Sequence, residues 1–161
     1  MAVGVGGSNA GVGFSLAINT IDANTTATLS DVDLDHAGNV DVFGKNRADI
    51  LAITASGALA AGSGSLQLAA AGAISINTIK GGVEAEISGG ADVLASGNVS
   101  VEATDLSSIE AYGGGVAIAA SIGGKKSSPT SGGSSVSGGI GASIAINTIG
   151  EETTLSFDAG D

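Results

Sequence analysis

Ala17-Ile18-Asn19-Thr20-Ile21 returns twice further along the chain, as Ser75-Ile76-Asn77-Thr78-Ile79 and as Ala145-Ile146-Asn147-Thr148-Ile149. The second copy lies 58 residues after the first, and the third lies 70 residues after the second. Self-similarity at a fixed spacing is the sequence signature of a repeat protein. We therefore expect the chain to consist of stacked copies of one structural unit.

The similarity between the first two copies extends well beyond this pentapeptide. Gly38-Asn39-Val40-Asp41-Val42 matches Gly97-Asn98-Val99-Ser100-Val101 at a spacing of 59 residues, one more than the pentapeptides show. A repeat of about 58 to 59 residues follows. The longer second spacing is explained by residues 123–135, a low-complexity insertion with the only Pro, which we interpret as an exposed loop.

These spacings predict one domain made of three repeats. We expect a single β-solenoid section with repeats at about residues 1–62, 63–120 and 121–161, the last one incomplete and interrupted by the insertion.

Within each repeat, apolar residues alternate with small or polar ones, as at Val12, Phe14, Leu16 and Ile18. A period of two predicts β-strands with one buried face. With 28 Gly, no Trp and only 2% aromatic residues, the chain offers mainly Ala, Val and Ile for a core, which must be thin. The predicted fold class is all-β, a β-solenoid of the parallel β-helix kind.

Two coil sizes fit this pattern. One repeat can form a single wide coil of about 58 residues, so that equivalent residues stack one strand spacing apart, about 4.8 Å. Alternatively, each repeat holds about three conventional coils of about 20 residues. We favour the wide coil, because no self-similarity near a spacing of 20 is found.

Stacked wide coils would place the repeated pentapeptide in columns. We predict one buried apolar column and one internal ladder of hydrogen-bonded amides. The apolar column would contain Ile18, Ile76 and Ile146, and the amide ladder Asn19, Asn77 and Asn147.

The charge and composition exclude several classes of partner. A net charge of −11 argues against nucleic acid, since phosphate binding needs a cationic surface. No uninterrupted apolar stretch is long enough to span a membrane, and no disulfide can form without Cys. Since Met1 leads directly into Gly-rich repeat sequence without a signal peptide, we expect either a cytosolic protein or a piece of a larger one.

Asp31, Asp33 and Asp35 form the strongest candidate metal site. Alternating residues on a strand project from one face, where three carboxylates could share a Ca²⁺ ion. A solvated acidic face is the simpler interpretation, since no tandem Ca²⁺-binding nonapeptide is present. No other cofactor is predicted.

The sequence does not predict an enzyme. His36, the only His, is interpreted as an exposed turn residue. Glu84 and Glu86 alternate like the acids of polysaccharide-cleaving β-helices, but such enzymes place Arg, Lys, His or aromatic residues beside them. Only a groove with two or more carboxylates beside Arg47 or His36 would favour catalysis.

A family resemblance rests on four successive motifs. They are a Gly-Asn-Val-x-Val strand, an Ala-Thr-x-x-Ser-x-Ile segment, a Gly/Ala-rich stretch and a closing Gly-x-Gly-Ala-Ser-x-Ala-x-Asn-x-Ile segment. In this chain they lie at 97–101, 103–109, 113–120 and 139–149. The pattern resembles the repeat region of giant bacterial surface adhesins of the leukotoxin-like filamentous type, related to filamentous haemagglutinin.

The resemblance implies an extracellular β-solenoid stalk on the cell surface, used for adhesion, biofilm formation or cell-to-cell contact. Its partners would be neighbouring repeats or identical subunits that stack through strand edges, and a host or neighbouring cell surface. Three alternatives stay open: the protomer of a homopolymeric filament, a Ca²⁺-binding module, and a polysaccharide-active enzyme.

Overall fold

The computed structural model describes residues 2–5, 9–63, 66–121 and 136–157, and within them the side chains of 9–63, 66–121 and 136–150. Every regular element in these ranges is a β-strand, and none of them contains a helix that could span a membrane. The predicted insertion at 123–135 lies outside the described residues. The strands are β1 (Ala2–Val5), β2 (Ala10–Asp22), β3 (Thr25–Ser30), β4 (Asp33–Ala37), β5 (Val40–Asn46), β6 (Asp49–Gly62), β7 (Leu66–Ser88), β8 (Asp92–Ala95), β9 (Val99–Asp105), β10 (Ser108–Ser121) and β11 (Val136–Phe157).

The strands pair across the repeats rather than with their neighbours along the chain. One sheet has the order β1-β6-β10, and a second has the order β11-β7-β2 with β3 also beside β7. Two smaller sheets join β4 to β8 and β5 to β9. The pairs β1–β6, β3–β7, β4–β8 and β5–β9 are all parallel. The predicted all-β class is confirmed, with stacked parallel strand pairs.

The strand register follows the sequence repeat. Asn19 and Asn77 bond across a separation of 58 residues, whereas Asn46 and Asp105 bond across 59. The register shifts within the β4–β8 pair, where Asp35 and His36 together lie opposite the single residue between Val93 and Ala95. This β-bulge explains the positive φ of His36, 61°, because the inserted residue departs from the extended conformation.

Residues group into two compact units that each draw on all three repeats. Unit 1 contains Met1–Asn19, Leu51–Asn77 and Glu110–Asn147, and unit 2 contains Thr20–Ile50, Thr78–Ile109 and Thr148–Asp161. The charges are divided unevenly, since unit 1 holds only Glu110, Lys125 and Lys126 among all the Asp, Glu, Lys and Arg residues.

The interior of unit 1 consists of small side chains from facing strands. Ala58 and Ala60 of β6 pack with Ala69 and Ala71 of β7, and the Ala side chains of β10 lie against them. The backbones approach so closely that a Cβ on Gly11 would collide with the carbonyl group of Leu59. Gly, Ala and Ser therefore occupy most of the buried positions described in unit 1.

Large apolar residues of unit 1 therefore lie on its outer surfaces. In β2 the buried positions are Gly11, Gly13 and Ser15, while the apolar residues between them are exposed. The expectation that Val12, Phe14, Leu16 and Ile18 form the buried face is wrong, because close sheet approach selects the small alternate residues for the interior.

Unit 2 has the opposite arrangement, with large apolar residues inside. Val42 of β5 packs with Ala85 and Ile87 of β7, and β3, β8 and β9 add further Ala, Leu and Val side chains to this core. Ile79 and Val83 are also almost completely buried. Here the period of two and the usual preference of aliphatic side chains for the interior agree.

Candidate functional site

The repeated asparagines form a hydrogen-bonded ladder inside unit 1. Asn19 Nδ2 donates to Asn77 Oδ1 at 2.8 Å, and Asn77 Nδ2 donates to Asn147 Oδ1 at 2.9 Å. Asn77 is fully buried and also donates to Ser75 Oγ at 2.9 Å. Because a primary amide carries two N–H donors and one carbonyl acceptor, Asn77 can join both neighbours and Ser75 at once. The ladder fixes the register of β2, β7 and β11.

The adjacent isoleucines form a column on the outside, not in the core. Ile18 is 63% exposed and Ile146 is 49% exposed. Successive side chains on a strand point to opposite faces, so an Ile next to an inward Asn must point outward. The predicted buried Ile18–Ile76–Ile146 column is therefore wrong. Ile79, two positions beyond Asn77, is the residue of the second copy that reaches an apolar interior.

Further side-chain bonds between repeats occur at the turns of unit 2. Asn24 Oδ1 accepts from the Gly82 amide at 2.9 Å, and Asn39 Oδ1 accepts from the Asn98 amide at 3.0 Å. Both bonds satisfy a backbone donor of the next repeat where the strand ladder is interrupted. The sequence did not predict this role, although Asn39 beside Gly38 was a usable signal.

Two hydrogen bonds shift the pKa of Asp49. Ser108 Oγ donates to Asp49 Oδ1 at 2.7 Å, and Arg47 Nε donates to Asp49 Oδ2 at 2.8 Å. The Ser108 hydrogen bond, followed by the Arg47 hydrogen bond, lowers the pKa of Asp49 below its ordinary value of 3.8. Hydrogen bonds to the ionised carboxylate favour the charged form. Arg47 is thus engaged by Asp49 and not by a catalytic acid.

The three acidic residues proposed for Ca²⁺ do not form a metal centre. Asp31 has a φ of 50° and lies before the start of β4, so it is not part of that strand. Asp33 lies opposite Asp92 in the parallel register, and the side chains of Asp31, Asp33 and Asp35 are exposed. Among the described residues, no group of three or more His, Cys, Asp or Glu side chains could hold a metal ion.

A polar cleft of about 530 Å³ opens in unit 2. It lies where β2, β3 and β7 meet, and Asp22 and Glu84 are its described carboxylates. The described lining includes neither Arg47 nor His36, the two residues that would favour catalysis. Glu86, the other acid compared with those of polysaccharide-cleaving enzymes, accepts a hydrogen bond from Ser88 Oγ at 3.0 Å. The cleft is lined by Asp22, Asn24, Thr25, Thr26, Gly81, Gly82, Val83, Glu84 and Gly150.

Comparison of the chain with protein-family models gives no match. Comparisons with curated proteins and with solved structures likewise give none. The function of the chain is therefore inferred from the geometry of its repeats and from its sequence motifs.

Proposed function

We propose that the chain is a structural section of an extracellular bacterial adhesin, a β-solenoid that extends or displays adhesive regions for attachment or cell-to-cell contact. The observation that carries this proposal is the parallel pairing of residues 58 or 59 positions apart, maintained from Asn19–Asn77 to Val40–Val99. In the pairs β3–β7, β4–β8 and β5–β9, a strand of one repeat lies beside the matching strand of the next, as a wide coil requires.

The side-chain bonds between repeats support an extending role. A stalk must resist lateral forces while adding length, and each repeat of this chain is joined to the next by backbone ladders and by amide bonds such as Asn77–Asn147. The proposed role involves no catalysis and no bound cofactor, and the acidic chain is not expected to bind nucleic acid or to insert into a membrane.

The wide coil can be tested by lengthening the chain. Four extra copies of residues 63–120, inserted in register, should add about 19 Å to the long dimension if each copy contributes one strand spacing, against about 58 Å for three coils per copy. Small-angle X-ray scattering of the parent and the extended chain measures this difference. An increase near the larger value would exclude the wide coil.

Location and adhesion need separate tests. Antibodies against the chain should label intact, unpermeabilised cells of the source bacterium, and external protease should remove the label. Deleting the region from its parent gene should reduce attachment or aggregation of these cells. Labelling only after permeabilisation would contradict the proposed extracellular location.

A homopolymeric filament is the second candidate. The described strand orders end at β1 and β10 in one sheet and at β2 and β11 in the other, and an edge strand offers unpaired backbone groups for pairing. The partners would then be identical subunits that add strands to these edges. Electron microscopy of the purified chain distinguishes fibres of indefinite length from single particles.

A further inference from the structure

One outer surface of unit 1 is apolar and carries no charge. It consists of the even-numbered residues of 10–18, 66–76 and 136–146, on β2, β7 and β11, and we call it the apolar face. These three stretches contain no Asp, Glu, Lys, Arg or His. Ile74 and Ile76 of the central strand are half-buried. The other ten large members are between 49% and 72% exposed: Val12, Phe14, Leu16, Ile18, Leu66, Leu68, Val136, Ile140, Ile144 and Ile146.

The register of the three strands brings these side chains together. The Asn19–Asn77–Asn147 ladder aligns β2, β7 and β11 at one end of the face. Further along, a Cβ on Gly72 would lie 3.4 Å from Phe14 Cδ2, and a Cβ on Gly138 would lie 3.6 Å from Leu68 Cδ2. The first pair is 58 residues apart and the second 70, the same two separations as in the Asn ladder. The face is therefore continuous across the three strands.

The exposed apolar area is larger than an isolated monomer normally presents. Ten large side chains, each at least about half exposed, offer on the order of 1,000 Å² of apolar surface, against about 300–600 Å² for the largest patch of a typical monomer. A stable interface needs about 800 Å² from each partner. The apolar face alone reaches this size.

The chemistry of the face favours a second copy over a lipid surface. With a net charge of −11 the chain is repelled by anionic lipid headgroups, and the face carries no Lys or Arg to attract them. It also has no Trp or Tyr, the residues that anchor proteins at the membrane interface. An uncharged aliphatic sheet is instead suited to packing on an identical sheet, as in the dry contacts between paired β-sheets.

We propose that the apolar face is the contact surface between two copies of this chain, which pack side by side through β2, β7 and β11. This lateral contact differs from strand addition at the sheet edges and holds whether or not the chain is part of a stalk. The two copies would be related by a twofold axis, since the same surface is used on both. Stalks of this kind would associate in pairs along their length.

The opposing force is the charge repulsion between two acidic chains. Screening by salt weakens this repulsion and leaves the apolar contact in place. Association should therefore strengthen as the NaCl concentration rises. An interface dominated by ion pairs would weaken instead, and that result would overturn the proposal.

The test is sedimentation equilibrium of the full chain from about 1 to about 100 µM, with wild type and two substitutions at Leu16. Wild type should approach twice the monomer mass. Leu16→Lys and Leu16→Glu should each weaken association by at least about tenfold, although Lys lowers the net negative charge and Glu raises it. Both should keep the β-sheet circular dichroism spectrum, because Leu16 is on the outer surface.

Ile53→Lys is the matched control, since Ile53 is also an exposed aliphatic residue but lies on β6, in the other sheet of unit 1. This variant should associate like wild type. A chain that stays monomeric at all concentrations, or association that survives both Leu16 substitutions, would overturn the proposal. So would flotation of the chain with zwitterionic lipid vesicles that is abolished by Leu16→Lys.

The absence of Cys from the sequence permits a direct map of the contact. Leu16→Cys should be linked into covalent dimers by a short bis-maleimide reagent, whereas Ile53→Cys should not. The reverse result would assign the contact to the other sheet.

Discussion

Asn77 and Asn147, 70 positions apart in the chain, are joined by a 2.9 Å hydrogen bond from Nδ2 to Oδ1, and Asn77 itself is completely buried. The buried Asn77 amide cannot reach solvent, so this hydrogen bond takes the place of a hydrogen bond to water. Its loss leaves polar partners unsatisfied inside a thin core.

Asn77→Ala should lower the free energy of unfolding by about 3 kcal/mol, because Asn147 Oδ1, Asn19 Nδ2 and Ser75 Oγ each lose a hydrogen-bond partner. Urea denaturation followed by circular dichroism measures the change. Asn147→Ala is the control: its side chain is exposed and belongs to the end of the ladder, so the cost should be about 1 kcal/mol. Equal effects of the two substitutions would contradict an internal ladder.

The sequence was sufficient to predict the all-β class, and it favoured pairing of residues 58 or 59 positions apart over coils of about 20 residues, because identical residues recur at that spacing. It was not sufficient to predict which face of a strand lies inside. Ile18 and Asn19 occupy opposite faces of one strand, and the usual preference would bury Ile18. That preference fails in unit 1, where the space between the sheets admits Ser, Ala and an amide but not a row of large aliphatic side chains.

The sequence also did not predict the local backbone conformation of the acidic run. Asp31 has a positive φ, and the bulge at Asp35 and His36 breaks the alternation of the acidic run. The three carboxylates are exposed, and no group of three or more His, Cys, Asp or Glu side chains among the described residues could hold a metal ion. Ser108, which lowers the pKa of Asp49, lies 59 residues away and carried no visible motif.

Truncation of a buried isoleucine of the repeated pentapeptide should lower stability much more than truncation of an exposed one. Ile79→Ala should lower the free energy of unfolding by about 3 kcal/mol, since Ile79 is fully buried and its removal leaves a cavity. Ile18→Ala should change it by less than about 0.5 kcal/mol, because the side chain is exposed. Thermal unfolding of the two variants at a concentration below self-association makes the comparison. A large effect at Ile18 under these conditions would mean that the isoleucine column is inside.

Gly81 should tolerate no side chain. Its φ is 142°, and a Cβ at this position would collide with the carbonyl oxygen of Ala23 in the preceding repeat. Gly81→Ala should cost at least about 3 kcal/mol, since backbone atoms must move apart. Gly90→Ala separates the steric effect from the conformational one: Gly90 has a φ of 75° with open space around it, so about 1 kcal/mol is expected. Urea midpoints that are equal for both variants would argue against the close contact.

The pKa of Asp49 should rise towards its ordinary value when Ser108 is replaced by Ala, because the hydrogen bond that contributes most to the shift is removed. A carboxyl whose folded-state pKa is lowered contributes stability above its unfolded-state pKa, and this contribution is lost as the pH falls through the folded-state pKa. The stability difference between wild type and Ser108→Ala should therefore be present near neutral pH and disappear in strong acid. Carboxyl ¹³C NMR titration measures the pKa. Ser107→Ala, whose hydroxyl accepts from the Ala48 amide and does not touch Asp49, should leave the pKa unchanged.

Two buried serines of unit 1 should respond to Ala in opposite directions. Ser56 is buried and its Oγ has no hydrogen-bond partner among the described residues, so Ser56→Ala removes an unsatisfied hydroxyl and should raise the free energy of unfolding by about 1 kcal/mol. Ser75 is buried as well, but its Oγ accepts from Asn77, so Ser75→Ala should lower stability by about 1–2 kcal/mol. The two changes remove the same atom from similar small-residue surroundings, so the difference between them isolates the hydrogen bond. A decrease in melting temperature for Ser56→Ala as large as that for Ser75→Ala would show that the Ser56 hydroxyl is bonded in solution.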